Sequence, residues 1–524
     1  MITELDLEDI QGNIVKAYGR YGFPLARFVF YHVDNAEKGR LFVQRITPLV
    51  TTSVHWSKKL NREIPAVAVN LAFTYEGLKS LDVPADTLHA FPDEFTMGMK
   101  ARRAIVGDVG PNHYKHWDPI WNHPDDPTLQ HIHIMIGING KDPNDLEASY
   151  QQVCGILNAT GGVTQLKGHR GPNGAEDLPY QPANALAGGT EHFGYADGIS
   201  SPYFEGCGED PRFIIGGGKP TGLDPATAAG WEPLAAGEFV FGHADESEAY
   251  PEAPGPPLFS RNGTYMVYRK LHENVGSFNA LIEEEGRKFG SKEAFAAKMS
   301  GRWRNGAPLA GYPTEESANR FAAELSALRD KSHKGTATAE EKQRYGELKL
   351  KLTAYDYTSD TEGAKCPFGA HTRRTNPRGA LQFGVEKPFA TPGALSNRRR
   401  ILRRGLPYGK VEDPSRDDGD HGIVMMILNA DLSRQFEFVQ EQWINYGNDF
   451  KLANDKDPLL GNHGKDENGR GSGRMMIEGD AASNKPPYFC GGIPNLVETR
   501  GGDYFFIPSM TCLRMIAMGL VDPT

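Results

Sequence analysis

Three short stretches of this chain set reactive residue types at spacings that simple packing does not require. Cys366–Arg378 reads CPFGAHTRRTNPR and puts His371 just ahead of three arginines. An imidazole among cations resists protonation, and the neutral imidazole is the form that ligates metals. Gly194–Gly198 reads GYADG. Glycines on both sides of an acid bring backbone close to another group, and a carboxylate held there can accept and return a proton; an ordinary Asp-Gly turn is the plain alternative. Arg398–Gly409 reads RRRILRRGLPYG, five arginines around one Ile-Leu pair. In a strand, side chains alternate, so at least one of these guanidiniums must turn inward. The competing reading is an exposed edge guarded by charge.

Charge sharpens the picture. The 524 residues carry a net charge of −10, yet Lys365–Lys410 holds eleven Lys/Arg against a single acid, Glu386. A solvated face would explain this, and so would a site for phosphate or carboxylate, for which arginine is the better forked partner. The acidic total excludes a general nucleic-acid binder. Gly216–Lys219 (GGGK) imitates a phosphate loop, but Pro220 stands where a Ser/Thr is needed. His131 and His133 share a strand face near His113, His116 and His123, a conceivable metal cluster. Five scattered cysteines without a Cys-x-x-Cys make neither a zinc framework nor a disulfide scaffold. The longest apolar run, Ile423–Leu428, is too short to span a membrane. The acidic N-terminal stretch MITELDLEDIQGN lacks the cations and apolar segment of a signal peptide, which reads as cytoplasmic.

The elements that position these stretches are legible in part. Alternation predicts strands at Arg27–Val33, Ala66–Phe73, His131–Ile138, Thr264–Leu271, Gly422–Leu428 and Asp503–Ile507. Helical spacing falls at Tyr75–Leu81, Leu146–Leu157, Phe278–Met299 and Arg434–Asn445. The charged stretch Thr314–Leu352 reads as a surface helical insertion. With 60 glycines and 36 prolines, the pattern is a loop-rich α+β protein rather than a bundle or a long doubly wound sheet.

Taken in this order, GYADG, CPFGAHTRRTNPR and ILRRGLPYG (Ile401–Gly409) resemble the dye-decolourising peroxidase family, in its longer bacterial and fungal branch. DIQGNI (Asp9–Ile14), GTYMVYRKL (Gly263–Leu271), GRWRNGAPL (Gly301–Leu309) and DPLLGN (Asp457–Asn462) extend the resemblance over most of the chain. The resemblance implies two ferredoxin-like α+β domains of antiparallel sheets with packed helices. They would run over 1–205 and 206–524, with haem in the second and the charged helical insertion near 312–355. It implies haem b, with His371 as the proximal iron ligand, Asp197 as the distal acid and Arg403 as the distal arginine. Gly198, Ile199, Ser200, Asn376, Pro377 and Arg378 would line the haem, and Arg378 and Arg374 would meet its propionates. Asp457 would be the carboxylate on the proximal imidazole, and Ile423 and Met425 would cover the distal face. Thr372 stands where the family usually has Ile or Val. The activity implied is reduction of hydrogen peroxide, through a ferryl intermediate, with oxidation of dyes, phenols or other bulky aromatic reductants. Trp443 or Tyr268 would then relay electrons. The expected assembly is a monomer or homodimer, with no nucleic-acid or membrane partner. Non-enzymatic haem storage and release of iron from haem are the alternative readings.

Overall fold

The computed structural model describes residues 5–57, 62–122, 131–171, 177–208, 211–381 and 393–519. His123 and Glu386 lie outside the described residues.

The N-terminal half runs β1 (Leu25–Val33), α1 (Ala36–Ile46), β2 (Val67–Phe73), β3 (Ile134–Gly140), α2 (Pro143–Thr160) and β4 (Val163–Gln165). All its strand pairs are antiparallel, in the order β4-β1-β3-β2. A further strand, β5 (Gln181–Asn184), pairs with the other end of β1. Asn35 caps α1 and Asp142 caps α2, each accepting a first-turn backbone N–H. The C-terminal half repeats the plan. β6 (Thr264–Glu273) leads into α3 (Val275–Phe289) and α4 (Lys292–Ser300). β7 (Leu402–Tyr408) and β8 (Gly422–Asn429) follow, then two π-helical turns, Leu432–Glu437 and Val439–Ile444, and β9 (Val497–Ile507). Its order, β9-β6-β8-β7, is the same four-strand arrangement.

The expected ferredoxin-like units are therefore present, and they are fused. β2 pairs with β9 through Phe73 and Phe506, making one continuous sheet, and β7 lies against β5, so the sheet curls toward a barrel. One apolar core runs through both halves, from Phe28, Val29 and Ile136 to Val267, Val424 and Phe505. The last helix, α7 (Met510–Met518), crosses back onto α1. The charged insertion forms two antiparallel helices, α5 (Glu315–His333) and α6 (Ala339–Lys351), each opened by a capping box at Thr314 and Thr338.

Ion pairs also tie the halves together. Lys270 Nζ on β6, almost wholly buried, donates to Asp118 Oδ2 and to Asp420 Oδ1, both at 2.8 Å. Burial pushes the Asp420 carboxyl up, and Lys270 counters it. Lys270→Met would leave the two carboxylates without their bonded cation, with Arg170 at 3.9 Å from Asp118 in partial compensation. The expected loss is about 3–5 kcal/mol, the usual consequence of breaking a buried ion pair. It is read as a lower denaturant midpoint at neutral pH, and an unchanged midpoint would show that the cluster does not secure the two halves.

Candidate active site

Strand alternation builds the site. On β7 and β8, Arg403 is opposite Ile427, Gly405 opposite Met425 and Pro407 opposite Ile423. Arg403, Ile423, Met425 and Ile427 line one cavity, joined there by Arg269, Leu271 and Glu273 of β6. The intervening residues Arg404, Leu406 and Met426 line a second cavity with Phe28, Met135 and Met266 of the neighbouring strands. Asp197, Ser200, Arg403, Ile423 and Met425 border both. The first cavity encloses about 1920 Å³ of non-atom space, its mouth to solvent included.

Gly405 permits this geometry. Its φ is +143°, and a Cβ there would fall 2.1 Å from the Val424 carbonyl oxygen. Gly405→Ala is expected to cost about 1–3 kcal/mol, as backbone strain of this kind does, measured as a lower thermal midpoint. Full stability in this variant would mean that β7 tolerates another path.

His371 opens a short helical turn, His371–Thr375, and lines the first cavity. Its Nδ1 lies 2.9 Å from Asp457 Oδ2. With Nδ1–H given to a carboxylate, the lone pair sits on Nε2, the tautomer suited to axial ligation. Asp457 is fully buried, and its Oδ1 accepts the Leu459 and Leu460 amides at 2.9 Å. Burial would raise this carboxyl, but His371, Arg374 and the Leu460 amide outweigh it and hold it below the usual carboxylate range.

Asp197 sits on a tight loop whose glycines, Gly194 and Gly198, adopt φ of +91° and +69°. The Arg403 guanidinium approaches the Asp197 carboxylate at 3.6 Å and donates to the Ser200 carbonyl at 3.2 Å. Both side chains are 40% exposed. They are therefore free to meet a third molecule, unlike Arg404, which is spent on the Asn13 and Ile14 carbonyls.

The structure sorts the other sequence candidates. Ile199, Ser200, Asn376, Arg378 and Met425 line the cavity of His371, whereas Gly198 lines the second cavity. Pro377 is not among the residues lining the cavity. Arg374 corrects an expectation: it is buried away from the cavity, donating to the carbonyls of Trp443, Tyr446 and Asp455. Arg373 likewise turns inward, onto Asp360. Arg378 reaches the cavity wall in a left-handed conformation (φ +53°), with Nη1 on the Thr353 and Tyr355 carbonyls. The basic stretch is thus largely a set of internal rivets rather than one anion-facing surface. GGGK is part of it, since the Gly217 and Gly218 carbonyls accept from buried Arg400. Among the described residues no group of three or more His, Cys, Asp or Glu is placed to hold a metal ion, so His113, His116, His131 and His133 form no such site among themselves. His133 Nδ1 accepts the Val33 amide and its ring stacks on His32.

Sequence reading missed Glu191, Glu273, Arg400, Gln440 and Ile444 in the cavity wall. Glu191 had a local signal, six residues ahead of Asp197. The others depend on tertiary placement, and the π-helical turns that deliver Val439, Gln440 and Ile444 read as ordinary helix.

Two merged βαββαβ units, with a carboxylate-held imidazole and an aspartate–arginine pair on one cavity, define an α+β barrel built to receive a large ligand. The family profile described as "DyP dimeric alpha+beta barrel domain" matches residues 9–172. A dye-decolourising peroxidase of Mycena epipterygia is 27% identical, the alignment covering 98% of this chain and 87% of that protein. A multifunctional dye peroxidase, DyP2, of Amycolatopsis sp. is 27% identical, covering 97% and 96%. A solved ancestral D-type dye-decolourising peroxidase superposes with a TM-score of 0.72 at 24% identity, covering 98% and 99% of the two chains. The chain is thus similar over nearly its whole length to dye-decolourising peroxidases, and its residues 9–172 match the barrel-domain profile of that family.

Proposed function

We propose that this protein is a haem peroxidase that reduces hydrogen peroxide at the expense of dyes, phenols or other aromatic reductants. The observation that carries this reading is the pairing on one cavity of His371, its Nδ1 held by Asp457, with Asp197 and Arg403. One solved relative is a complex with 2,6-dimethoxyphenol, which accords with a phenolic reductant.

The residues present fit haem b. His371 offers a lone-pair nitrogen, and Ile199, Leu271, Ile423, Met425 and Ile427 offer an apolar wall. Thr372 Oγ1 and Asn376 Oδ1 are buried polar atoms in the same wall without a partner, and Arg378 supplies positive charge at its edge. His371 would hold the iron, with Ile199, Ser200, Asn376 and Arg378 around the macrocycle. When bound, haem supplies a ferric iron that accepts peroxide and a macrocycle that stores oxidising equivalents.

The chain's own groups do the rest. Asp197 takes the proton from the inner peroxide oxygen and returns it to the outer one. Arg403, which keeps its proton throughout, stabilises the negative charge that develops on the departing oxygen. The Ser200 carbonyl fixes the guanidinium in that direction. Asp457 retains the Nδ1 proton of His371, which raises the electron donation of Nε2. A storage or iron-release role requires neither Asp197 nor Arg403, and both stand ready at the cavity with their polar atoms only partly engaged.

His371→Ala is expected to abolish haem retention, seen as loss of the haem absorbance band after reconstitution; a wild-type spectrum would overturn the ligand assignment. Asp457→Asn is expected to weaken retention about 10–100-fold in competition with apomyoglobin. Arg403→Leu should keep haem and slow the reaction with peroxide by about 10²–10³ in stopped-flow mixing. An unchanged rate would remove Arg403 from bond cleavage and favour storage.

A further inference from the structure

The loop that presents Asp197 is closed by two acids that the peroxidase reading leaves without a role. Within Gly189–Asp197, the Asp197 amide donates to the Gly189 carbonyl (3.0 Å), and the Glu191 amide to the Tyr195 carbonyl (3.1 Å). Three further amides have only carboxylate acceptors. Phe193 and Tyr195 donate to the two oxygens of Glu191 at 2.7 and 2.6 Å, and His192 donates to Glu273 Oε2 at 3.1 Å. Glu273 comes from the end of β6 and is buried, and both acids line the cavity that contains His371 and Asp197.

Because these amides follow closely along the loop, the two carboxyls are neighbours and act on each other's ionisation. Since both Glu191 oxygens accept from amides, Glu191 is the ionised member and Glu273 must carry the proton that joins them. Two bare carboxylates side by side would repel. We propose that Glu191 and Glu273 form a one-proton pair that positions Asp197, closing its loop while the proton is present and loosening it when the proton leaves. This rests on the reading of Asp197 as the proton-carrying group.

The surroundings favour retention of that proton. Burial raises both carboxyls, Glu191 raises Glu273 further and Asp197 adds a third negative charge, while the Phe193 and Tyr195 amides and Glu273 pull Glu191 down and the His192 amide pulls Glu273 down. The net direction is upward for both. The other titratable and charged groups around the pair include His192, bonded to the Tyr408 carbonyl, His421, whose carbonyl accepts the Glu273 amide, the Tyr195 and Tyr408 hydroxyls, Arg304 with its partner Glu293 beside Tyr195, and Arg403, which pairs with Asp197. Burial holds His192 and His421 below the usual imidazole range. They bring no cation to draw the proton off, and Arg304 is engaged by Glu293. The sign follows: folded-state carboxyls raised above their unfolded values keep the loop closed at lower pH and release it as pH rises through the raised value.

The test uses the haem-loaded protein, wild type, E273Q and E191Q. Infrared difference spectra across a pH titration should show a protonated-carboxyl C=O stretch in wild type that disappears with rising pH, together with faster intrinsic-rate-corrected exchange of the Phe193 and Tyr195 amides. E273Q keeps a donor toward Glu191 and cannot ionise. It should lack the infrared band, keep those amides protected into alkaline pH and shift the alkaline fall in peroxide reactivity upward. E191Q should slow that reaction about 10²-fold, the scale of a misplaced group, with an unchanged haem spectrum. A wild-type pH dependence in E273Q, or no titrating carboxyl band in wild type, overturns the proposal, and these two results decide it even if E191Q fails to fold. Failure of the peroxidase reading is separate: Asp197→Ala would then react with peroxide at the wild-type rate, whatever the infrared titration shows.

Discussion

The bond from His371 Nδ1 to Asp457 Oδ2 ties three separate segments of the chain to the cavity. Asp457 is a fully buried charge, and a buried carboxylate survives only if every lone pair is met. Two amides meet one oxygen, the imidazole meets the other, and Arg374 supplies the nearby positive charge. Arg374 in turn gathers the carbonyls of Trp443, Tyr446 and Asp455. The turn that carries His371, the π-helical segment and the loop bearing Asp457 are thereby bound into one unit before any ligand arrives. An imidazole that ligates a metal needs its tautomer and direction fixed, and Asp457, outside the cavity, meets that need for the proposed role of His371.

The opposite requirement governs Asp197 and Arg403. In the proposed mechanism these two act on a small substrate, and a group with that task cannot be saturated by internal partners. Alternation along β7 separates the two uses of arginine within two adjacent residues: Arg404 is buried on backbone carbonyls, while Arg403 keeps only the Ser200 carbonyl and a 3.6 Å approach to Asp197. The same alternation makes the two cavities, one on each face of β7 and β8, meeting at the aspartate–arginine pair.

Much of this was legible in the chain because it is local. Strands β1, β2, β3, β6 and β8 alternate or run apolar, and GYADG shows its strain in its glycines. His371, Asp197 and Arg403 could be named because each lies in a compact motif. What could not be read is what depends on distant partners. The basic stretch read as a solvated face or as an anion site, yet Arg373, Arg374 and Arg400 are buried on Asp360 and on backbone carbonyls supplied from far along the chain. Helix α1 (AEKGRLFVQRI) hid its buried face, Phe42, Val43 and Ile46, among charges. The fusion of two ferredoxin-like units through Phe73 and Phe506 has no sequence signature, since a single cross-strand pair of phenylalanines resembles any other core contact.

The central claim is that one cavity holds iron between His371 and the Asp197–Arg403 pair. Crystals of the haem-reconstituted protein, measured on both sides of the iron absorption edge, test it most directly. The account expects one anomalous iron peak, within bonding distance of His371 Nε2, with Asp197 and Arg403 on the other side of the macrocycle. An iron peak bonded to any other residue, or a macrocycle with Asp197 and Arg403 on the His371 side, would contradict it.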